Sequence, residues 1–177
     1  MMSAYLSRAG VIAALYFVVT IMFAPISYGL VQVRISEAFT VLAYFEPAAI
    51  PGLWLGAMIA NVYGGFGPWD IFFGSGLTLV AAWLTWRIRK PALALLPPVV
   101  LNGVGIALML KYILAIPDSA AISYPVAVLM VGGGEAVAVY MIGYPFLVYL
   151  LKTKLFVRPE VFQGKLKSRA DDQSLNK

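Results

Sequence analysis

Long apolar runs, broken by short stretches rich in charge, proline or glycine, divide the chain. A helix needs about 20 apolar residues to cross the hydrocarbon core of a bilayer, fewer where the bilayer thins or protein backs the helix. By that measure the pattern predicts six membrane-spanning helices. The first, Ala9 to Tyr28, follows Arg8 and is too long, and too unlike a small-residue cleavage site, for a removable signal peptide. Val33 to Phe45 and Ala48 to Tyr63 come next, divided at Glu46 and Pro47, where proline lacks a donor and turns its predecessor away from helix. The stretch "GGFGPWD", residues 64–70, reads as a turn, with Asp70 capping a fourth helix that runs to Arg87. The fifth, Ala92 to Leu114, carries Pro97 and Pro98 and is expected to kink there. The sixth, Pro125 to Leu151, follows the polar connector "AIPDSAAISY".

Basic residues set the expected orientation, because Lys and Arg are retained on the cytoplasmic side. "RIRK", residues 87–90, and the tail beginning with Lys152, Lys154 and Arg158 hold most of the positive charge. Two spans separate these clusters and four separate Arg8 from "RIRK", so all three share one side and both termini are expected in the cytoplasm. Read as one kinked span, Val33 to Tyr63 would instead turn Arg8 outward. Residues 1–151 are expected to form a transmembrane domain of six helices, and residues 152–177 a basic, disordered cytoplasmic tail.

Composition agrees with this all-α integral membrane class: 62% of residues are hydrophobic, 12% are charged and the mean hydropathy is +0.87. The net charge of +5 is then mostly topological, serving retention and attraction to anionic lipid rather than nucleic acid. With no Cys and no His, the sequence lacks thiolate and imidazole for metal binding, nucleophilic catalysis or neutral-pH proton shuttling. It also lacks the GxxxxGK[ST], GxGxxG and GxSxG motifs, so energy for any driven transport is expected from a partner or an ion gradient. No cofactor and no metal is expected.

Against that background a few polar residues within the spans stand out: Arg34, Glu37, Asn61, Asp70, Asn102, Lys111 and Glu135, with Glu46 at the inner turn. A charge near the bilayer centre costs about 2.5 to 3.5 kcal/mol on insertion scales, so such groups face a cavity or a partner. Asn102 and Glu135 each lie about eleven residues into their helices, close to mid-membrane at 1.5 Å per residue. Glu37 is shallower, and Asn61, Asp70 and Lys111 lie near the outer surface. Apart from Glu46, the set is placed to line an outward-opening half-pocket. Each has a plainer alternative: Arg34 and Glu37 pairing across one helical face, Asp70 a cap, Asn61 a turn closure, and Lys111 snorkelling outward. Glu135 follows three glycines in "VGGGEAVAVY", and Asn102 is flanked by glycines in "NGVG", so another backbone or a flat ligand can approach closely.

A buried carboxylate accepts two parallel hydrogen bonds, which suits a guanine-like edge; an amide donates and accepts; a second carboxylate suits a cationic substituent. Tyr63, Phe66, Trp69, Tyr112 and Tyr124 near the outer mouth can stack on a planar ring, or simply anchor the interface. In the first span, Ala9 with Ala13 and Gly10 with Ala14 form two overlapping small-xxx-small patterns, suited to internal packing or to an intermolecular face.

Five stretches, "QVRISEAFTVL", "EPAAIPGLWLGAMIAN", "GPWDIFFGSGLTLVAAWLT", "PALALLPPVVLNGVG" and "GGGEAVAVYMIGYP", together resemble the QueT family over Arg8 to Leu151. These are queuosine-precursor substrate-binding (S) components of energy-coupling factor transporters, a class of bacterial ABC importers. The resemblance implies a six-helix protein of the bacterial cell membrane that captures a deazaguanine, 7-aminomethyl-7-deazaguanine or a close relative, from outside. It implies docking on a membrane coupling subunit, EcfT, driven by two ATPase subunits, through an alanine motif on the first helix that maps to Ala9 and Ala13. Arg34, Glu37, Asn61, Asp70, Asn102 and Glu135 are then the expected substrate contacts. Glu135 or Glu37 would face the guanine-type edge, the other the aminomethyl cation, and Asn102 the ring carbonyl. Three alternatives remain beside it: an S component for another vitamin, a stand-alone transporter coupled to protons through Glu37 or Glu135, and a membrane enzyme using Glu and Asp as acid and base. The inverted repeats of many secondary transporters and the clustered acidic motifs of such an enzyme are missing.

Overall fold

The computed structural model describes residues 2–28, 32–114 and 122–153. The tail expected to be disordered, from residue 154 on, and most of the connector before the last span lie outside the described residues; Lys152 and Thr153 are helical. Helices account for nearly all of what is described, and no strand occurs among these residues. A helix coincides with each predicted span. Three of them, α1 (Met2–Met22), α6 (Pro91–Ile113) and α7 (Tyr124–Thr153), are long and apolar enough to cross a membrane. The others are a single-turn α2 (Ala24–Ser27), α3 (Ile35–Phe45), α4 (Ala49–Gly64) and α5 (residues 68–87).

Several boundaries differ from the sequence pattern for local reasons. Helix α1 starts at Met2 rather than Ala9, because nothing in Met2–Arg8 breaks a helix, and this first stretch is exposed all round. Pro25 ends that run and opens α2. Gln32 to Arg34 are not helical; α3 begins at Ile35 as a 3-10 helix and becomes α-helical only over Val41–Phe45. Its length is therefore about 20 Å, short of the hydrocarbon thickness. The break at Glu46 and Pro47 falls where expected: Glu46 is extended (φ −130°, ψ 113°), and its carboxylate accepts the Ala48 N–H at 3.3 Å as α4 begins. Gly65, at φ 75°, closes α4 in the left-handed conformation that glycine adopts without penalty. Asp70 does not cap α5. The helix has already started at Pro68, and Asp70 opens a π-helical turn, Asp70–Gly74, inside it. In α6 the interruption sits at Leu95, just ahead of Pro97 and Pro98, whose missing N–H groups leave the Leu93 and Ala94 carbonyls without their helical donors.

Close helix crossings rest on glycines. A Cβ on Gly52 would stand 2.7 Å from the Ala9 carbonyl, and one on Gly56 would stand 2.8 Å from that of Ala13, so α1 and α4 touch along their backbones. Ala9 and Ala13 are accordingly buried inside this contact, together with Ile12 and Tyr16. The small residues that α1 turns outward are Gly10 and Ala14, and a Cβ on Gly10 would meet nothing within 4 Å. Gly103 and Gly132 bring α6 and α7 together in the same way.

One end of the molecule is tied by Tyr5 to the Pro47 carbonyl, Arg8 to Glu46, Tyr44 to the Arg89 carbonyl at 2.7 Å and Tyr140 to the Ala92 carbonyl at 2.8 Å. Arg8, "RIRK" and the α3–α4 turn thus share that end. An apolar groove of about 420 Å³ also lies there, between α1, α3 and α7. Polarity runs from inside to outside in the reverse of a soluble protein. Leu129, Met141 and Phe72 are about 70% exposed, whereas Arg34, Glu37, Asn61, Asp70, Asn102 and Glu135 are all buried. That inversion, with the three long apolar helices, makes this a membrane protein.

Candidate functional site: a buried polar cluster

The six buried polar residues come from α3 to α7 and from the extended stretch before α3. Packing of α6 on α7 at Gly103 and Gly132 sets the first pair: the neighbouring Asn102 donates from Nδ2 to Glu135 Oε1 at 2.9 Å. The glycines before Glu135 admit backbone rather than a flat ligand. Gly132 takes α6, and Gly134 takes the Gln32 carbonyl, which would stand 1.7 Å from any Cβ there. Gly133 faces open space.

A second pair forms across α4 and α5. Asn61 donates from Nδ2 to the Asp70 carbonyl at 2.8 Å, inside the π-helical turn. Gly74, one turn on, leaves room for both side chains; a Cβ there would stand 2.8 Å from Asp70 Oδ1 and 3.0 Å from Asn61 Nδ2. Ile106, one turn beyond Asn102 on α6, reaches the same spot at 3.6 Å, so α6 packs against this pair. Such π-helical turns re-aim side chains and recur at functional sites.

Glu37 is fully buried and enclosed by hydroxyls: Tyr16 and Thr78 donate to one carboxylate oxygen, the latter at 3.3 Å, and Thr40 to the other at 3.1 Å. It ties α1, α3 and α5 together. Arg34 does not pair with it, contrary to the helical-face alternative. Arg34 precedes α3 in extended backbone, so the two residues do not share a helical face. Among the described residues the only ion pair is Arg8 with Glu46. Arg34 instead lies over the Tyr28 ring at 5.5 Å and donates from Nε to the Ser27 carbonyl at 3.4 Å.

Three side-chain oxygens in this cluster are buried with no donor: Asn61 Oδ1, Asp70 Oδ2 and Asn102 Oδ1. Both amide orientations are fixed by the bonds their nitrogens make. Leaving such an atom unmatched costs on the order of 1–3 kcal/mol each. A fourth, Thr85 Oγ1, lies near the other end of α5 and is separate from them. The cluster therefore presents buried acceptors without donors, the complement of a donor-rich ligand.

The remaining polar candidates fall elsewhere. Lys111 donates to the Ile122 carbonyl, across the ends of the connector. Tyr63, Trp69 and Tyr112 are about 60% exposed, in keeping with interfacial anchors. Phe66 packs on Tyr28 at 6.2 Å, and Tyr124 on Tyr112 at 5.8 Å. Sequence reasoning passed over Tyr16, Thr40, Thr78 and Gln32. Tyr16 lies one heptad after Ala9, on the inward face of α1, and its hydroxyl in an apolar run was the available signal.

Comparison with curated proteins and with solved structures gives no match for this chain. The family described as QueT transporter does match, over residues 6–152, a stretch holding the whole polar cluster and the small-residue face of α1. The chain belongs to the QueT transporter family.

Proposed function

We propose that this transporter-family protein is the substrate-binding S component of an energy-coupling factor importer, capturing 7-aminomethyl-7-deazaguanine or a close relative from outside the cell. In this reading all six predicted spans cross the membrane, both termini are cytoplasmic and residues 152–177 form a cytoplasmic tail. ATP hydrolysis belongs to two partner ATPases acting through EcfT, and the chain itself catalyses nothing.

The observation that carries the proposal is the trio of buried, donorless oxygens on Asn61, Asp70 and Asn102, with Asn102 bonded to Glu135. A deazaguanine supplies ring N–H, exocyclic amine and, in the aminomethyl form, ammonium donors, which are what such oxygens lack. Glu135 with Asn102 faces the ring donors, and Asp70 with Asn61 faces the ammonium group. Asn102 is reassigned from the ring carbonyl because its unsatisfied atom is an acceptor. Glu37, already enclosed by three hydroxyls, positions the helices around the ligand. For the coupling subunit, the outward Gly10 and Ala14 replace Ala9 and Ala13 as the contact face.

Calorimetric titration of the purified protein with 7-aminomethyl-7-deazaguanine, guanine, thiamine and riboflavin tests this directly. Binding of the deazaguanine alone supports both class and substrate. Binding of a different vitamin keeps the class and removes the substrate; binding of none returns the proton-coupled alternative.

A further inference from the structure

The turn from α5 into α6 carries "RIRK", residues 87–90, and its backbone is held firmly. Ile88 packs against the core, the Arg89 carbonyl accepts the Tyr44 hydroxyl at 2.7 Å, and the Lys90 carbonyl accepts the Ala94 N–H at 2.9 Å. Arg87, Arg89 and Lys90 are exposed, so the turn is a fixed display of cations. No carboxylate meets them among the described residues: Glu37, Asp70 and Glu135 are buried, and Glu46 pairs with Arg8.

Arg87 is the most organised of the three. Its Cζ lies 5.1 Å from the centroid of the Trp83 ring, one turn back on α5, and 5.6 Å from that of Trp86. Among the described residues it makes no ion pair and no side-chain hydrogen bond. A guanidinium set against ring faces keeps its N–H fork for an oxyanion, where a lysine would offer only a point charge. Val80, Trp83 and Arg87, spaced three and four residues apart, form one outward stripe on α5, apolar along its length and cationic at its end. That order, apolar surface, indole, then cation, matches the chain, interfacial zone and phosphate of a phospholipid.

We propose that Arg87, set against Trp83 and Trp86, binds the phosphate of an anionic phospholipid whose acyl chain lies along the Val80–Trp83 stripe. Arg89 and Lys90 add charge beside it and favour a net-negative headgroup over a zwitterionic one. The stripe commits the site to lipid, because free phosphate would use the guanidinium and leave the apolar surface unused. A lipid seated there fixes the α5–α6 turn at the headgroup level of the bilayer. The site is independent of the solute that the polar cluster takes.

Native mass spectrometry of the full chain in mild detergent, titrated with dioleoylphosphatidylglycerol or dioleoylphosphatidylcholine, tests the site. Wild type is expected to retain phosphatidylglycerol at about tenfold lower concentration than phosphatidylcholine. Arg87→Gln removes that preference, and Arg87→Lys, which keeps the charge and loses the fork, removes most of it. Trp83→Leu keeps the apolar stripe and costs about threefold through the lost ring. Each changes an exposed residue, so unfolding midpoints without lipid stay near wild type and report an intact fold. Lys152→Gln, on α7, makes the same change of net charge and is expected to leave the preference in place. Wild-type retention in Arg87→Lys, or an equal loss in Lys152→Gln, would reduce the turn to nonspecific charge and overturn the site. Inorganic phosphate that displaces the bound lipid at the same concentration as phosphatidylglycerol does would overturn lipid as its occupant.

Discussion

Asn102 and Glu135, thirty-three positions apart, are joined by a 2.9 Å hydrogen bond where α6 and α7 cross at their glycines. The amide spends its donor on the carboxylate and keeps a buried oxygen with no partner of its own. One contact therefore fixes the helix crossing and presents an acceptor beside a carboxylate.

The two roles separate by choice of variant. Glu135→Gln keeps an oxygen for Asn102 and removes the charge, so the protein folds and its affinity for a cationic or donor-rich ligand falls by about tenfold or more. Asn102→Ala strips a partner from a buried carboxylate and lowers stability by about 1–3 kcal/mol as well. Thermal unfolding beside calorimetry distinguishes them; a Glu135→Gln protein that binds with wild-type affinity removes Glu135 from the site.

Adjacent glycines differ sharply in what they tolerate. Gly134→Ala places a methyl 1.7 Å from the Gln32 carbonyl, so the stretch carrying Arg34 must move away from α7. Gly133→Ala meets nothing within 4 Å and gains helix propensity. Expression followed by size-exclusion profile and unfolding temperature is expected to show Gly134→Ala severely impaired and Gly133→Ala at or slightly above wild type. Equal behaviour of the two would mean that the Gln32–Gly134 contact does not form.

Tyr16→Phe tests whether the hydroxyl cage around Glu37 supports the fold. It removes one donor to a buried carboxylate and leaves Thr40 and Thr78 in place. Hydrogen bonds to charged groups are worth about 1.5–3 kcal/mol, and the variant's unfolding midpoint should drop accordingly. An unchanged midpoint would show that Glu37 is satisfied without Tyr16.

How far the sequence could be read follows from the kind of interaction at each point. Helical stretches, the Glu46–Pro47 break and the cast of buried polar residues were legible, because apolar run length, proline chemistry and the cost of buried charge are properties of the residues themselves. Pairings were not. Arg34 and Glu37 looked adjacent on a helix, but α3 starts one residue too late to put them on one face. Asp70 looked like a cap because a π-helical turn has no signature that a Gly-Pro-Trp-Asp sequence would betray. Tyr16 and the threonines escaped notice because a hydroxyl costs little in an apolar run until a carboxylate is packed against it. Which small residues of α1 face inward was hidden for a subtler reason. Ala9/Ala13 and Gly10/Ala14 are the same pattern one residue apart, a rotation of about 100° on the helix, and only the position of α4 says which faces inward.

That register yields the sharpest prediction about partners. Ala9→Leu or Ala13→Leu drives a branched side chain into backbone-to-backbone contact with Gly52 or Gly56 and is expected to lower stability by about 1–3 kcal/mol or prevent folding, whether or not a partner is present. Gly10→Leu and Ala14→Leu project from an exposed face, cost the isolated protein little and improve helix propensity at Gly10. If α1 docks on the coupling subunit, these outward variants retain ligand binding while losing the subunit in a mild-detergent pull-down, and uptake fails with binding intact. Should Gly10→Leu and Ala14→Leu retain the subunit and transport normally, the outward face of α1 meets only lipid and the coupling surface must be sought on another helix.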